Sequence, residues 1–143
     1  MKKDLEALRE KALLDVYSWG GLGPTQGYSG TIITIDKKLY TYHEYRYIPE
    51  ELQNKGIPNS TLDYIKNITE TEYKEIENFI KKNIFNKKYK SLNIRDASFH
   101  IEGTNNGKYF KLCNISDENG NLLYFNVNRL ISKIKGEIKN EEK

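Results

Sequence analysis

Two histidines, one cysteine and a cluster of tyrosines are the residues of this chain whose types could do chemistry. His43 stands in "HEYR", beside Glu44 and Arg46, and His100 stands in "SFHIEG". Two histidines and a cation are the set that metal-independent RNA cleavage needs. One imidazole removes a proton, the other supplies one, and the cation steadies the phosphorane. His43, His100 and Arg46 are therefore the candidate catalytic set of a ribonuclease or toxin. Strand alternation works against it, because residues 43 and 46 of one strand point to opposite faces unless a bulge intervenes. Cys113 and His100 could form a nucleophilic dyad, but a mid-strand location fits a structural pairing better. The histidines and the cysteine show no ligand spacing. No metal and no cofactor is expected.

Tyrosine is the more suggestive residue. Tyr40, Tyr42, Tyr45 and Tyr47 fall within eight positions. A two-residue turn at Lys37-Lys38 would place Tyr40 and Tyr42 on the core side with Ile33 and Ile35. Tyr45 and Tyr47 would then join Tyr28, Ile32 and His43 outside. Tyrosine combines a large apolar ring with a polar tip and is favoured at protein contacts. With Trp19 at the entry of the neighbouring loop, the expected binding set is Trp19, Tyr28, His43, Tyr45 and Tyr47.

The stretch "YSWGGLGPTQGYSG" holds five glycines in fourteen residues. Gly21, Gly23 and Gly27 give G-x-G-x-x-x-G, one residue too long for a dinucleotide loop. A strand follows it rather than a helix, so no helix N-terminus is available for a phosphate. The stretch reads as a connection between two strands, its glycines supplying positive φ.

The elements that must position these residues follow from periodicity. Residues 3–12 carry Leu5, Leu8 and Ala12 at helical spacing. "LLDVYSW" reads as a strand with Leu14, Val16 and Ser18 on one side. "YSGTIITID" and "LYTYHEYRY" make a hairpin. Residues 49–67, with Pro49 and Pro58, read as a loop. "TETEYKEIENFIKKNIF" is the clearest helix. Thr69 and Glu72 match a capping box, and Tyr73, Ile76, Ile80 and Ile84 form an apolar stripe. A second hairpin turns at Asn106-Gly107, which pairs Thr104 with Tyr109 and Glu102 with Lys111. Phe99, Ile101, Phe110 and Leu112 then share the core face. A closing helix over 127–138 turns Leu130, Ile131 and Ile134 inward. The expected architecture is α+β: one domain over residues 1–143, with an antiparallel sheet of about five strands built from two hairpins and helices mainly on one face.

The 143 residues carry a net charge of +3 and no apolar run long enough for a membrane span. The lysines of the N-terminus are interrupted by acids, unlike a signal peptide. A cytoplasmic protein that binds no membrane is expected. The lysine-rich segment Lys81–Lys90 has five lysines and no acid. It suits a helix C-terminus and, as an alternative, a nucleic-acid contact with tyrosine stacking.

The order of "WGGLG", a hairpin, a helix opening "TETEYKEI" and "DASFHIEGTNNGKYFKL" resembles small bacterial α+β domains of the protealysin-inhibitor (emfourin) type. The resemblance spans residues 13–135 and departs at the loop 49–67. It carries over no site residues. It implies a non-enzymatic module that binds another protein, of the inhibitor, immunity or phage-antagonist kind.

Overall fold

The computed structural model describes residues 2–20, 26–45, 60–86, 89–94 and 97–136. Helix α1 (Lys2–Glu10) leads into strands β1 (Ala12–Gly20), β2 (Gly27–Thr34), β3 (Lys38–Tyr45) and β4 (Ser60–Asn67). Helix α2 (Glu70–Ile80) continues into a π-helical turn, Lys81–Phe85. Strands β5 (Lys90–Ser91), β6 (Ser98–Asn105), β7 (Lys108–Cys113) and β8 (Ile115–Ser116) follow, then helix α3 (Leu123–Lys135). The fold is α+β. Its main sheet is antiparallel, with order β4-β3-β2-β1-β6-β7, and β5 pairs with β8 in a separate two-stranded sheet.

The main sheet therefore has six strands rather than about five. The additional one is β4, which occupies the last part of the segment expected to be loop; Pro49 to Asn59 lie outside the described residues. β4 is an edge strand with residues 63–65 exposed. Pairing with β3 satisfies the backbone groups on its inner side while it buries little, so the apolar alternation that marks a strand is weak there. The N-terminal helix ends at Glu10, and Ala12 already belongs to β1. The last helix begins at Leu123 rather than 127 and closes on Gly136, whose φ of 85° suits glycine. Residues 137–138 lie outside the described residues.

Two cores lie on the two sheet faces. The larger one joins Leu14, Val16, Ile33, Leu39 and Ile101 of the sheet to Ile76 and Ile80 of α2, Ile84 of the π turn, and Leu123, Val127, Ile131 and Ile134 of α3. The expected stripe of the capped helix is its buried face. Its N-terminus carries the full capping box: Thr69 Oγ1 accepts from the Glu72 backbone at 3.1 Å, and Glu72 Oε1 accepts from the Thr69 backbone at 2.8 Å. The smaller core sets Leu5 and Leu8 of α1 against Tyr17, Ile32 and Tyr42 on the opposite face. Helices thus cover both faces, α2 and α3 one and α1 the other.

The first hairpin departs from expectation by register. Its turn is Ile35-Asp36-Lys37, with Lys37 at φ 65° and its N–H on the Thr34 carbonyl at 3.0 Å. Ile33 consequently pairs with Leu39, Ile32 with Tyr40, and Tyr28 with Glu44. Relative to a Lys37-Lys38 turn, the pairing moves by an odd number of residues, and such a slip carries each side chain to the other face relative to its partners. Tyr28, Ile32, Tyr40 and Tyr42 therefore share the α1 face, whereas Ile33, Leu39, His43 and Tyr45 share the other. Ile35 lies in the turn, 55% exposed, instead of in the core. The second hairpin keeps the expected register: Thr104 pairs with Tyr109, Glu102 with Lys111 and His100 with Cys113.

Candidate functional site

The α1 face of the sheet holds the densest set of polar and aromatic side chains. β1 contributes Asp15, Tyr17 and Trp19 at alternate positions, and their cross-strand partners on β6 are Glu102, His100 and Ser98. On the other side β2 contributes Tyr28 and Ile32, paired with Trp19 and Asp15. Between Tyr17 and Tyr42 sits Gly30, the cross-strand partner of both. A Cβ there would stand 2.6 Å from the Tyr17 Cβ and 2.8 Å from the Tyr42 ring. This glycine exists to let two tyrosine rings close over the strand. Gly27 likewise approaches the β3 backbone, where an added Cβ would lie 2.0 Å from the Glu44 carbonyl oxygen. Close approach, rather than positive φ, explains these two members of the glycine-rich stretch; Gly21 and Gly23 lie outside the described residues.

At one end of the face the rings form a cluster. Tyr17 stacks on His100 with centroids 4.6 Å apart and planes 9° apart. Tyr28 meets Tyr17 edge-on at 5.5 Å and Trp19 at 4.7 Å. Trp19, Tyr28 and His100 are half-buried. Burial holds the His100 imidazole below its usual range, Glu102 pulling it up and Lys111 down. His100 Nε2 bonds Ser98 Oγ at 2.8 Å, and the buried Nδ1 has no partner.

At the other end lies a polar network under α1. Asp15 is only 1% exposed. Its carboxylate accepts from the Tyr42 hydroxyl at 2.8 Å and from Arg9 Nε at 3.3 Å. Arg9 also reaches Glu44 at 3.1 Å, and its guanidinium lies 5.1 Å from the Tyr42 ring centroid. Glu102 stands opposite Lys111 as expected, but its oxygens accept from the hydroxyls of Tyr17 and Tyr109. Burial pushes the Asp15 carboxyl up to about 7, against the lowering pull of Arg9 and the Tyr42 bond, while Glu102 adds to the rise. Burial by itself lowers the Arg9 guanidinium, but Tyr42, Asp15 and Glu44 more than reverse this and it stays charged. Burial and the nearby carboxylates hold the Tyr17 and Tyr42 hydroxyls protonated. Beside this network is a cleft of about 170 Å³, lined in part by Arg9, Asp15, Glu102 and Tyr109. The arrangement pins α1 to the sheet and fixes Tyr17, the ring on which Tyr28 and His100 pack.

The expected binding set is divided between the two faces. Trp19 and Tyr28 lie together, whereas His43 and Tyr45 lie on the opposite face, their rings 4.2 Å apart. His43 Nδ1 shares a 2.5 Å hydrogen bond with Ser29 Oγ, and burial holds its imidazole below the usual range. Tyr47 and Arg46 lie outside the described residues. His43 is in the cross-strand row Ser29, Ser18, Phe99, so His100, one residue beyond Phe99, points to the other side of the sheet. Sheet pleating thus separates the two histidines of the ribonuclease set. His100 and Cys113 are cross-strand neighbours, as the register required. Of the segment Lys81–Lys90, the first five residues form the π turn, Tyr89 is half-buried and Lys90 begins β5; Lys87 and Lys88 lie outside the described residues.

Asp15 and Arg9 were not singled out by sequence reasoning. The signal was available: an aspartate inside the apolar strand "ALLDVY" must be exposed, paired or neutral. Its partner could not be read, because Arg9 meets it only after α1 folds over the sheet.

Family models, curated proteins and solved structures give no significant match to this chain. Among the described residues no helix is long and apolar enough to cross a membrane, and no group of three His, Cys, Asp or Glu could hold a metal ion.

Proposed function

We propose that this protein is a small binding module that engages another protein through the aromatic end of its α1 face. The observation that carries the reading is the cluster of Trp19, Tyr28 and His100 around Tyr17, half-buried and held on a sheet. Rigid amphipathic rings give large contact area with little entropy to lose, and tryptophan and tyrosine dominate interface hot spots. The neighbouring network supports the same reading, since the Tyr17 hydroxyl is tied to Glu102 and the ring is fixed before any partner arrives. The resemblance to the emfourin type points the same way, to a cytoplasmic inhibitor, immunity protein or phage antagonist. A ribonuclease site would need His43 and His100 on one face.

The test places a photo-crosslinking phenylalanine analogue at Tyr28 and, as a control, at Lys74 on the exposed side of α2. Crosslinking in the source cells should give a discrete protein adduct from position 28, absent from position 74, and lost with Trp19→Ala. Equal adducts from both positions, or none from position 28 in folded protein, would overturn the reading. Trp19 is the chain's one tryptophan, so its emission then measures the interaction with the captured partner.

A further inference from the structure

Strand β7 is the outer strand of the main sheet on the side away from β4, and among the described residues no strand pairs with its free edge. The hairpin turn behind it has Asn106 at φ 52° and Gly107 at φ 78°. That is the two-residue turn whose closing pair, here Asn105 and Lys108, is hydrogen-bonded. By alternation Tyr109, Lys111 and Cys113 direct their backbone N–H and C=O groups away from β6. Next to this edge runs a groove of about 570 Å³. One wall is the run of consecutive residues from Lys108 to Leu112; the other is Ile84, Phe85 and Tyr89. Consecutive strand residues belong to both sheet faces, so the groove follows the strand's edge rather than one face. Its walls carry Lys108 and Lys111, both exposed, and no acid. Phe85 packs edge-on against Phe110 at 5.7 Å, and Lys108 Nζ lies 5.9 Å from the Phe85 ring centroid.

We propose that this groove takes an extended acidic peptide segment of a protein partner, which adds to β7 as a further strand. Its backbone would meet the outward groups of Tyr109 and Lys111. A large apolar side chain would sit on the face of Phe85, Phe110 and Leu112. The alternating acidic side chain, pointing to the other face, would meet Lys111, and an acidic residue at the turn end would meet Lys108. A strand edge presents donors and acceptors in turn, which matches a polypeptide backbone. A phosphodiester chain offers acceptors without the matching donors, so peptide is favoured over single-stranded nucleic acid despite the lysines and rings. The groove follows the β7 edge, whereas Trp19 stands on β1, two strands away in the sheet, and the two readings are tested separately.

The experiment screens the full chain against a phage-displayed library of random octapeptides. It then measures the selected peptides by fluorescence anisotropy. The expected result is enrichment of Asp and Glu around a large apolar residue. Affinity should fall at least about tenfold in Lys108→Glu/Lys111→Glu, a variant of two exposed residues whose fold is checked by circular dichroism. N-methylation of the peptide backbone at alternate residues should abolish binding to the wild-type protein, a readout independent of any variant's folding. No enrichment, equal binding of the N-methylated peptide, or tighter binding of a dT12 oligonucleotide than of any selected peptide would each overturn the proposal.

Discussion

Replacing Arg9 with methionine leaves an unbranched apolar stem and removes the cation, which lies 5.1 Å from the Tyr42 ring centroid and beside a carboxyl that is 1% exposed. The consequence depends on pH, and the sign follows from Asp15. Its folded-state pKa is raised from 3.8 to about 7. A raised acid contributes stability that is complete below the unfolded value and is lost as pH rises through the folded one. The interval from 3.8 to about 7 corresponds to on the order of 4 kcal/mol. At pH 5.5 Asp15 is protonated in the folded state, and Arg9→Met should cost about 1 kcal/mol, the loss of the partly exposed pair with Glu44. At pH 8.5 the wild-type carboxylate is ionised against Arg9. The variant must bury it unpaired or keep it protonated, and the second route caps the added cost at the interval from about 7 to pH 8.5, so the cost should grow to about 3 kcal/mol. Urea denaturation of both proteins across this range reads the difference directly. The comparison also cancels His43 and His100, whose lowered values give the opposite slope on the acid side. Arg9→Met measured in an Asp15→Asn background should cost the same at both pH values. A pH-independent cost in the native background would refute the assignment of Asp15 as the group that responds to Arg9.

Ile80→Ala removes a fully buried side chain from the larger core and should cost about 2–5 kcal/mol in the same assay. A loss under about 0.5 kcal/mol would mean that α2 does not pack through this stripe. Thr69→Ala deletes the capping-box acceptor and should cost about 1 kcal/mol. Gly30→Ala forces a methyl between the Tyr17 and Tyr42 rings and should cost about 1–3 kcal/mol, with Trp19 emission shifting as the ring cluster moves. Purified protein should leave single-stranded RNA intact; cleavage abolished by either His43→Ala or His100→Ala would show that the histidines act together despite lying on opposite faces.

Local chemistry carried a large part of the fold into the sequence. Thr69 and Glu72 are three residues apart, and their reciprocal bonds need nothing beyond the first helical turn. Asn106-Gly107 sets two positive φ values in succession, and from that turn the register of β6 and β7 follows to His100 and Cys113. The stripe of Ile76, Ile80 and Ile84 is a period that only a buried face explains. Where the local signal is weak, tertiary contact decided. Lys37-Lys38 and Ile35-Asp36-Lys37 are both plausible turns by composition. The choice fell to the packing of Ile32 and Tyr42 under Leu5 and Leu8, and the tyrosines moved to the other face with it. β4 becomes a strand because β3 offers it a ladder, not because "STLDYIKN" demands one. The pairing of Arg9 with Asp15 depends on the angle at which α1 returns across the sheet. No residue spacing encodes that angle; it is set by two apolar surfaces closing on each other. Sequence alone determined which segments would be helix or hairpin, because those choices rest on neighbours along the chain. Tertiary structure decided which aromatic rings share a face, because a slip of one position in a strand reverses every side chain beyond it.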